Sequence, residues 1–277
     1  MSASASPEHL ANFSGRKENI QRKSNHLQHP RRSAKRSHVA RGQLVLSFVL
    51  GCATTLSAAD LSLFRGEQLE FDMFYKGIKA ATSRMQLQVD DAQTKITWHV
   101  ESRPFITLLF KIDNRYEAIL SDDGMLLQVN KVIDQKNIQQ QLTIDYDQKS
   151  LRATANVCST WPITDDCNHV LSMFYDLRGR SLSAGDSIHY ILDVEGQLWR
   201  LSGTVEAHRD RAGTLDILFH FSPVMDIRDR LWKTDLLTNR LAHGQSTLFM
   251  QLGPQQQPLL IRFGDEKTPV EMRLIKR

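Results

Sequence analysis

Six histidines in residues 60–277 are the first candidates for chemistry, because imidazole binds metals and transfers protons near neutral pH. The six are His99, His169, His189, His208, His220 and His243. None lies in an H-x-x-x-H or H-E-x-x-H pattern, which would place two ligands on one helix face. Most fall at polar positions of alternating segments, where side chains face solvent. We therefore predict no metal and no cofactor, although a strand-built metal site with ligands distant in sequence stays open.

Residues 60–277 also lack the signatures of nucleophilic and nucleotide-binding enzymes. No G-x-S-x-G, S-x-x-K, G-x-x-x-x-G-K-[ST] or G-x-G-x-x-G segment occurs there. Acid pairs such as Glu70/Asp72 and Asp165/Asp166 could serve hydrolysis, but two neighbouring carboxylates occur in any protein. We predict no catalytic residue.

Asp113, Arg115 and Glu117 are spaced at i, i+2 and i+4 in a segment that reads as a strand. A strand puts all three side chains on one face. The interpretation that we favour is a ladder of cross-strand ion pairs, worth about 0.2–1 kcal/mol each. The alternative is that Arg115 receives an anionic group of a ligand, which keeps it among the candidate ligand-binding residues.

Two cysteines, Cys158 and Cys167, lie after the first 59 residues, which are interpreted below as an export leader. They lie in VCSTWPITDDC, which reads as a loop because of Pro162 and the two aspartates. An even number of cysteines in an exported chain favours a disulfide between them. Their spacing is too wide for a C-x-x-C metal or redox motif.

The segment 105–110, FITLLF, is apolar without alternating and lies between Pro104 and Lys111. The favoured interpretation is core, with a turn of helix that closes one end of a barrel. The alternative is an apolar lip at the mouth of a ligand cavity. The ligand-binding candidates are this lip segment and two residues of a predicted helix: Phe105, Ile106, Leu108, Leu109, Phe110, Phe174 and Tyr175.

The elements that would position these residues are mainly strands. Apolar and polar residues alternate over about a dozen short segments separated by Gly- and Asp-containing turns, which is typical of antiparallel sheets with one buried face. We predict a mainly β fold: a curved antiparallel sheet or a barrel-like architecture. One helix is predicted over 168–178, capped by Asn168, and a second over 227–242, beginning at Asp226 with Asp229 in its first turn.

The N-terminal 59 residues read as a leader. Residues 1–41 carry nine basic and two acidic residues, a net charge of +7. Residues 42–59 carry no charge and end in Ser57-Ala58-Ala59, as a cleaved signal peptide does. The alternatives are a lipoprotein acylated at Cys52 in Leu50-Gly51-Cys52 and an uncleaved anchor. Because 59 residues is long for a signal, we hypothesise that translation begins near Val39.

The charge of the body argues against nucleic acid as a partner. Of the 35 basic and 31 acidic residues, 26 and 29 remain for 42–277, a net charge of −3. A nucleic-acid-binding domain would concentrate basic residues on its folded part.

Three segments resemble an exported bacterial family, domain of unknown function 3108. They are GEQLEFDMFYKGIKAATSRMQLQV (66–89), RPFITLLFKIDNRYEAIL (103–120) and VLSMFYDLR (170–178). Ala81 stands where this family usually has glycine. The resemblance runs over about 66–200 and implies an envelope location and a β-rich fold, but no established activity.

We predict one β-rich domain over 60–277 in a periplasmic, non-catalytic protein that binds an apolar or amphiphilic molecule or an envelope protein. Membrane contact is expected only if Cys52 is acylated. The alternative function is an envelope hydrolase that acts on a glycan or a lipid, and a third option is a structural scaffold.

Overall fold

A computed structural model describes residues 60–90, 92–224, 235–241 and 246–277. The described residues all belong to one compact unit. The predicted basic leader (1–41) and signal (42–59), with Cys52, lie outside the described residues, as do Asp226, Asp229 and His243. No helix in the described ranges is long and apolar enough to span a bilayer.

The described chain forms one open, curved sheet of 15 strands, which confirms the predicted fold class. The strands are β1 (Gln68–Tyr75), β2 (Ile78–Val89), β3 (Gln93–Ser102), β4 (Ile112–Ser121), β5 (Leu126–Gln135), β6 (Ile138–Asp147), β7 (Arg152–Ala155), β8 (Ser159–Pro162), β9 (Cys167–Asn168), β10 (Ser187–Val194), β11 (Gln197–Ala207), β12 (Leu215–Pro223), β13 (Thr247–Leu252), β14 (Pro258–Gly264) and β15 (Val270–Lys276). Their spatial order is β8-β7-β6-β5-β4-β3-β2-β1-β15-β14-β13-β12-β11-β10-β9. All neighbours are antiparallel except β9 and β10.

Alternation along the sequence creates the two faces of this sheet. In β3, for example, Ile96, Trp98 and Val100 are buried, whereas Thr97 and His99 between them are half-buried on the outer face. Hairpins join most neighbouring strands, as the turn residues predict. The segment 158–167, predicted to be a loop, instead contains β8 and the first residue of β9, strands of only four and two residues.

The two ends of the sheet are close together. β8 and β9 stand at opposite ends of the strand order, and only residues 163–166 separate them in the chain. Asp193 Oδ2 on β10 accepts hydrogen bonds from the Tyr146 hydroxyl (2.9 Å) and from Trp161 Nε1 on β8 (3.0 Å). Side chains thus join the sheet ends where backbone pairing stops.

Helix α2 (Val170–Gly179) fills the concave side of the sheet and confirms the helix predicted over 168–178. It packs against β3, β4, β10 and a 3-10 turn at Leu61–Phe64. Seven of its ten residues are buried, so almost its entire circumference faces the core. The predicted cap is corrected by one residue: Asn168 belongs to β9, and His169 caps the helix.

Two short helices lie in connections between strands. Helix α1 (Pro104–Thr107) joins β3 to β4. Helix α3 (Leu236–Leu241) follows β12 and overlaps the helix predicted over 227–242. Asp235 caps it, because one carboxylate oxygen, Oδ1, accepts the backbone N–H groups of Leu237 (2.9 Å) and Thr238 (3.0 Å).

The predicted disulfide is absent, because Cys158 and Cys167 are both free thiols. Cys158 is exposed in the β7–β8 turn, with a backbone φ of 60°. Cys167 is buried on β9, where burial and the nearby charge of Asp193 raise the pKa of its thiol. The two side chains thus point into different environments, one into solvent and one into the core.

Candidate functional site

The interior of the sheet holds a cavity of about 70 Å³. Its walls come from both halves of the sheet and from α2 and α3. Most of the lining side chains are apolar, such as Met85, Val129, Phe174 and Met250. For scale, an apolar cavity of about 150 Å³ binds benzene. The cavity is therefore too small to hold the hydrocarbon chain of an amphiphile.

A buried ion cluster of Lys131, Glu195 and Asp235 borders this cavity. Lys131 Nζ contacts the Glu195 carboxylate, lies 2.8 Å from Asp235 Oδ2 and donates to Thr238 Oγ1 at 3.0 Å. The side chains of the three charged residues are at most 4% exposed. The cluster links β5, the β10–β11 turn and α3, and it holds α3 against the interior.

Opposite charges decide the protonation of this cluster. Burial alone would lower the pKa of Lys131, but the charges of Asp235 and Glu195 outweigh it, so the pKa of Lys131 is raised. Burial likewise opposes ionisation of Asp235, yet Lys131 keeps the pKa of Asp235 below its ordinary value. The ammonium and the Asp235 carboxylate therefore stay charged at neutral pH.

The backbone at Glu195 is shaped by the turn that holds it. Glu195 and Gly196 have φ values of 56° and 83°, as a two-residue hairpin turn requires. Glutamate tolerates the left-handed region less well than glycine or asparagine. Its contact with Lys131 and the hydrogen bond from the Gly196 N–H to Asp193 Oδ1 (2.8 Å) hold the turn in this form.

Asp193 is buried and His169 is half-buried, and the pKa of each is shifted from its ordinary value. Burial raises the pKa of Asp193 to about 6, although hydrogen bonds from Tyr146, Gly196 and Trp161 oppose the shift. Burial, with the charge of Lys131, lowers the pKa of His169 to about 3. His169 Nδ1 accepts the Leu171 N–H at 3.3 Å, which places the proton of the neutral ring on Nε2. Asp193 joins the two ends of the sheet and His169 caps α2, so the roles of both are structural.

The lip segment, 105–110, is the other candidate region, and the structure places it in the β3–β4 connection. The prediction of one helical turn is confirmed by α1. The favoured interpretation as core is wrong: Phe105, Leu108 and Leu109 are 72%, 84% and 66% exposed. Ile106 is half-buried, and Phe110 packs against the core. The segment is anchored by Thr107 Oγ1, which donates to the Arg103 carbonyl at 3.0 Å.

The remaining ligand-binding candidates do not join the lip segment. Phe174 and Tyr175 are buried on α2, where Phe174 lines the cavity and Tyr175 packs edge-on against Phe64 (ring centroids 5.7 Å apart). Arg115 is exposed on the outer face of β4, 3.8 Å from Asp113. Asp113 also binds His99 across the strand pair at 2.8 Å, as the ladder interpretation expects. The ligand alternative for Arg115 stays a prediction.

Of the remaining histidines, His189, His208 and His220 are described, and they lie on the outer face or at its border. His208 pairs with Asp216 (2.7 Å), and His189 lies 3.1 Å from Ser202 Oγ. In the described part of the chain, no group of three His, Cys, Asp or Glu side chains is arranged to hold a metal.

Sequence reasoning missed Lys131 and Asn114, which are both inward-facing polar residues. Lys131 shares its strand face with the buried Val129 and Ile133. Asn114 lies between Ile112 and Tyr116 on the inner face of β4, and its Nδ2 donates to the Tyr116 hydroxyl at 2.8 Å. A polar residue at an apolar position of the alternation was the signal that could have found both.

Comparison with known proteins shows the fold and no more. No family model matches the chain, so the resemblance to domain family 3108 is not confirmed, and no curated protein matches it. A β-barrel-like protein of domain of unknown function 1849 from Brucella abortus superposes with a TM-score of 0.50 at 8% identity, over 76% of this chain and 95% of that one. A member of the DUF1089 family from Pseudomonas aeruginosa superposes with a TM-score of 0.36 at 13% identity, over 64% and 87% of the two chains.

Proposed function

We propose that this protein is a non-catalytic envelope protein that binds an amphiphilic molecule at its lip segment. The observation that carries the proposal is the exposure of Phe105, Leu108 and Leu109 on one short connection. Large apolar side chains clustered outside the core cost solvation free energy, and such clusters typically mark interaction sites. The export leader read in residues 42–59 supports an envelope location.

The interior is the less favoured binding site. Helix α2 occupies it, and the remaining cavity of about 70 Å³ is smaller than one that binds benzene. The hydrolase alternative has no support from the interior carboxylates either. Asp193 and Asp235 each accept hydrogen bonds from the protein's own donors, and Lys131 contacts Glu195.

A fluorescence titration tests the proposal. The probe is a dansyl-labelled lysophosphatidylcholine below its micelle concentration, and the variant is Leu108→Ser combined with Leu109→Ser. We expect the variant to bind at least roughly tenfold more weakly, because most of the exposed apolar contact is removed. Leu63→Ser is the matched control, since Leu63 is 67% exposed and precedes β1, at the ends of the strands that lie away from the lip segment.

A second variant separates the lip segment from the interior. Val129→Ile adds one methyl group to the wall of the cavity. Binding that survives the change at Leu108 and Leu109 but is lost in Val129→Ile would place the ligand inside and overturn the proposal.

A further inference from the structure

The lip segment is one part of a larger surface. The β1–β2 turn with the first two residues of β2 (76–79) lies beside it, because the Arg103 N–H donates to the Ala80 carbonyl at 3.0 Å. The β5–β6 turn with the first residue of β6 (136–138) lies on its other side, where Lys136 Nζ donates to the Leu109 carbonyl at 3.3 Å. We call residues 76–79, 103–111 and 136–138 the three-tip surface.

The apolar side chains of the three-tip surface are rimmed by cations. Ile78, 59% exposed, extends the apolar area of the lip segment. Five basic residues and no acidic residue fall within the three ranges: Lys76, Lys79, Arg103, Lys111 and Lys136. Residues 42–277 carry a net charge of −3, so this concentration of positive charge is local.

Only part of this positive charge is neutralised. Lys79 and Arg103 both pair with Asp72, and Lys111 pairs with Asp134; both acids lie on the strands behind the tips. Lys76 lies over the ring of Tyr75 at 5.5 Å. In the ranges that the structure describes, no carboxylate pairs with Lys76 or Lys136. The surface thus keeps a net positive charge beside its apolar area.

We propose that the three-tip surface docks on a bilayer that contains anionic lipids. Phe105, Leu108 and Leu109 enter the interfacial region, and the surrounding lysines bind the headgroups. Apolar burial combined with cationic attraction is how peripheral proteins bind anionic membranes. This inference rests on the proposed function, because it names the amphiphile as a lipid in a membrane, and it adds a membrane contact that does not require Cys52.

Charge also distinguishes a membrane from a second copy of the chain. A two-fold symmetric dimer would place this surface against itself. Its cations would then face cations, and juxtaposed like charges oppose association. An anionic lipid surface complements the same residues.

Vesicle co-sedimentation of residues 60–277, the predicted mature protein, tests the inference. All described residues of this segment belong to one compact unit, and its cooperative unfolding is verified first. We expect binding to phosphatidylcholine vesicles that contain a quarter phosphatidylglycerol, and binding at least roughly tenfold weaker to phosphatidylcholine alone. Leu109→Glu should reduce binding at least roughly tenfold, whereas the control Leu63→Glu should stay within about twofold of the parent protein.

A variant with fewer positive charges tests the contribution of the lysines to vesicle binding. Lys76→Gln combined with Lys136→Gln should weaken binding to the anionic vesicles roughly three- to tenfold, and about 0.5 M salt should act similarly. Lys149→Gln combined with Lys276→Gln is the matched control and should bind as the parent does. Both lysines are exposed and lie at the ends of the strands away from the three-tip surface.

The outcomes separate this inference from the proposed function. Equal binding to both vesicle types, lost in Leu109→Glu, would overturn the preference for anionic membranes but leave amphiphile binding at the lip segment intact. Vesicle binding unaffected by Leu109→Glu would overturn the docking surface, and the lysophosphatidylcholine titration would then decide the proposed function alone. A concentration-dependent dimer that Leu109→Glu abolishes, without vesicle binding, would make a second copy the occupant.

Discussion

The interior and the lip segment are both rich in large apolar residues, but these residues are buried in the interior and exposed in the lip segment. Around α2, each charged group of the interior cluster has a partner, and Phe174 is buried. In the lip segment, Phe105 and its neighbours face solvent. The interior residues are explained by folding, since burial of apolar area stabilises the sheet. Folding does not explain the lip segment, so we assign binding to it.

The ion cluster should give the largest effect on stability. Lys131→Met leaves Glu195 and Asp235 buried without a cation, and breaking a buried ion pair in this way costs about 3–5 kcal/mol. Urea unfolding measures the loss. Lys95→Met is the control, because Lys95 pairs with Glu117 at the surface and its loss should cost about 1 kcal/mol or less. A similar small loss in both variants would show that the cluster does not hold α3 in place.

A matched pair of phenylalanine truncations sharpens the comparison. Phe174→Ala should lower the free energy of unfolding by about 3–5 kcal/mol, since it empties space in a packed interior. Phe105→Ala should change it by about 0.5 kcal/mol or less, because the ring is 72% exposed. Chemical denaturation of both variants gives the two values. A loss above about 2 kcal/mol in Phe105→Ala would mean that the lip segment packs in solution.

The free energy of unfolding should also depend on pH through two groups, His169 and Asp193. His169 has a pKa of about 3 against an ordinary value of 6.5, so the unfolded chain binds the additional proton and this group destabilises the fold as pH falls below 6.5. Asp193 has a pKa of about 6 against 3.8, so its effect is opposite: the stability that it contributes is lost as pH rises from about 4 through 6. Between pH 4 and 6 the two groups oppose each other.

The variant His169→Asn separates the contribution of His169 from that of Asp193, because asparagine keeps an acceptor for the Leu171 N–H but does not titrate. The stability of the parent minus that of His169→Asn should increase by roughly 2–3 kcal/mol from pH 4 to pH 6. For Asp193→Asn, the same difference should decrease over that range. Unfolding in urea at pH 4, 5 and 6 gives both slopes, and a flat difference for His169→Asn would refute its low pKa.

The sequence predicts the strands well but the site only in part. Alternation identifies β3 or β4 because each has one buried face, and the Glu195-Gly196 turn is recognisable from its residue types. The ion cluster is not predictable in this way: Lys131, Glu195 and Asp235 are far apart in sequence and meet only when the sheet curves around α2. The exposure of the FITLLF segment (105–110) is not predictable from the sequence either. An apolar run without a period is compatible with a buried core segment and with an exposed lip.

The most direct test of the account measures folding and binding on one variant, Leu109→Glu. If the lip segment serves binding alone, the thermal midpoint should stay within about 2 °C of the parent, while affinity for the labelled lysophosphatidylcholine falls at least roughly tenfold. A midpoint lowered by more than about 5 °C, with unchanged affinity, would contradict the central claim and make the lip segment part of the fold.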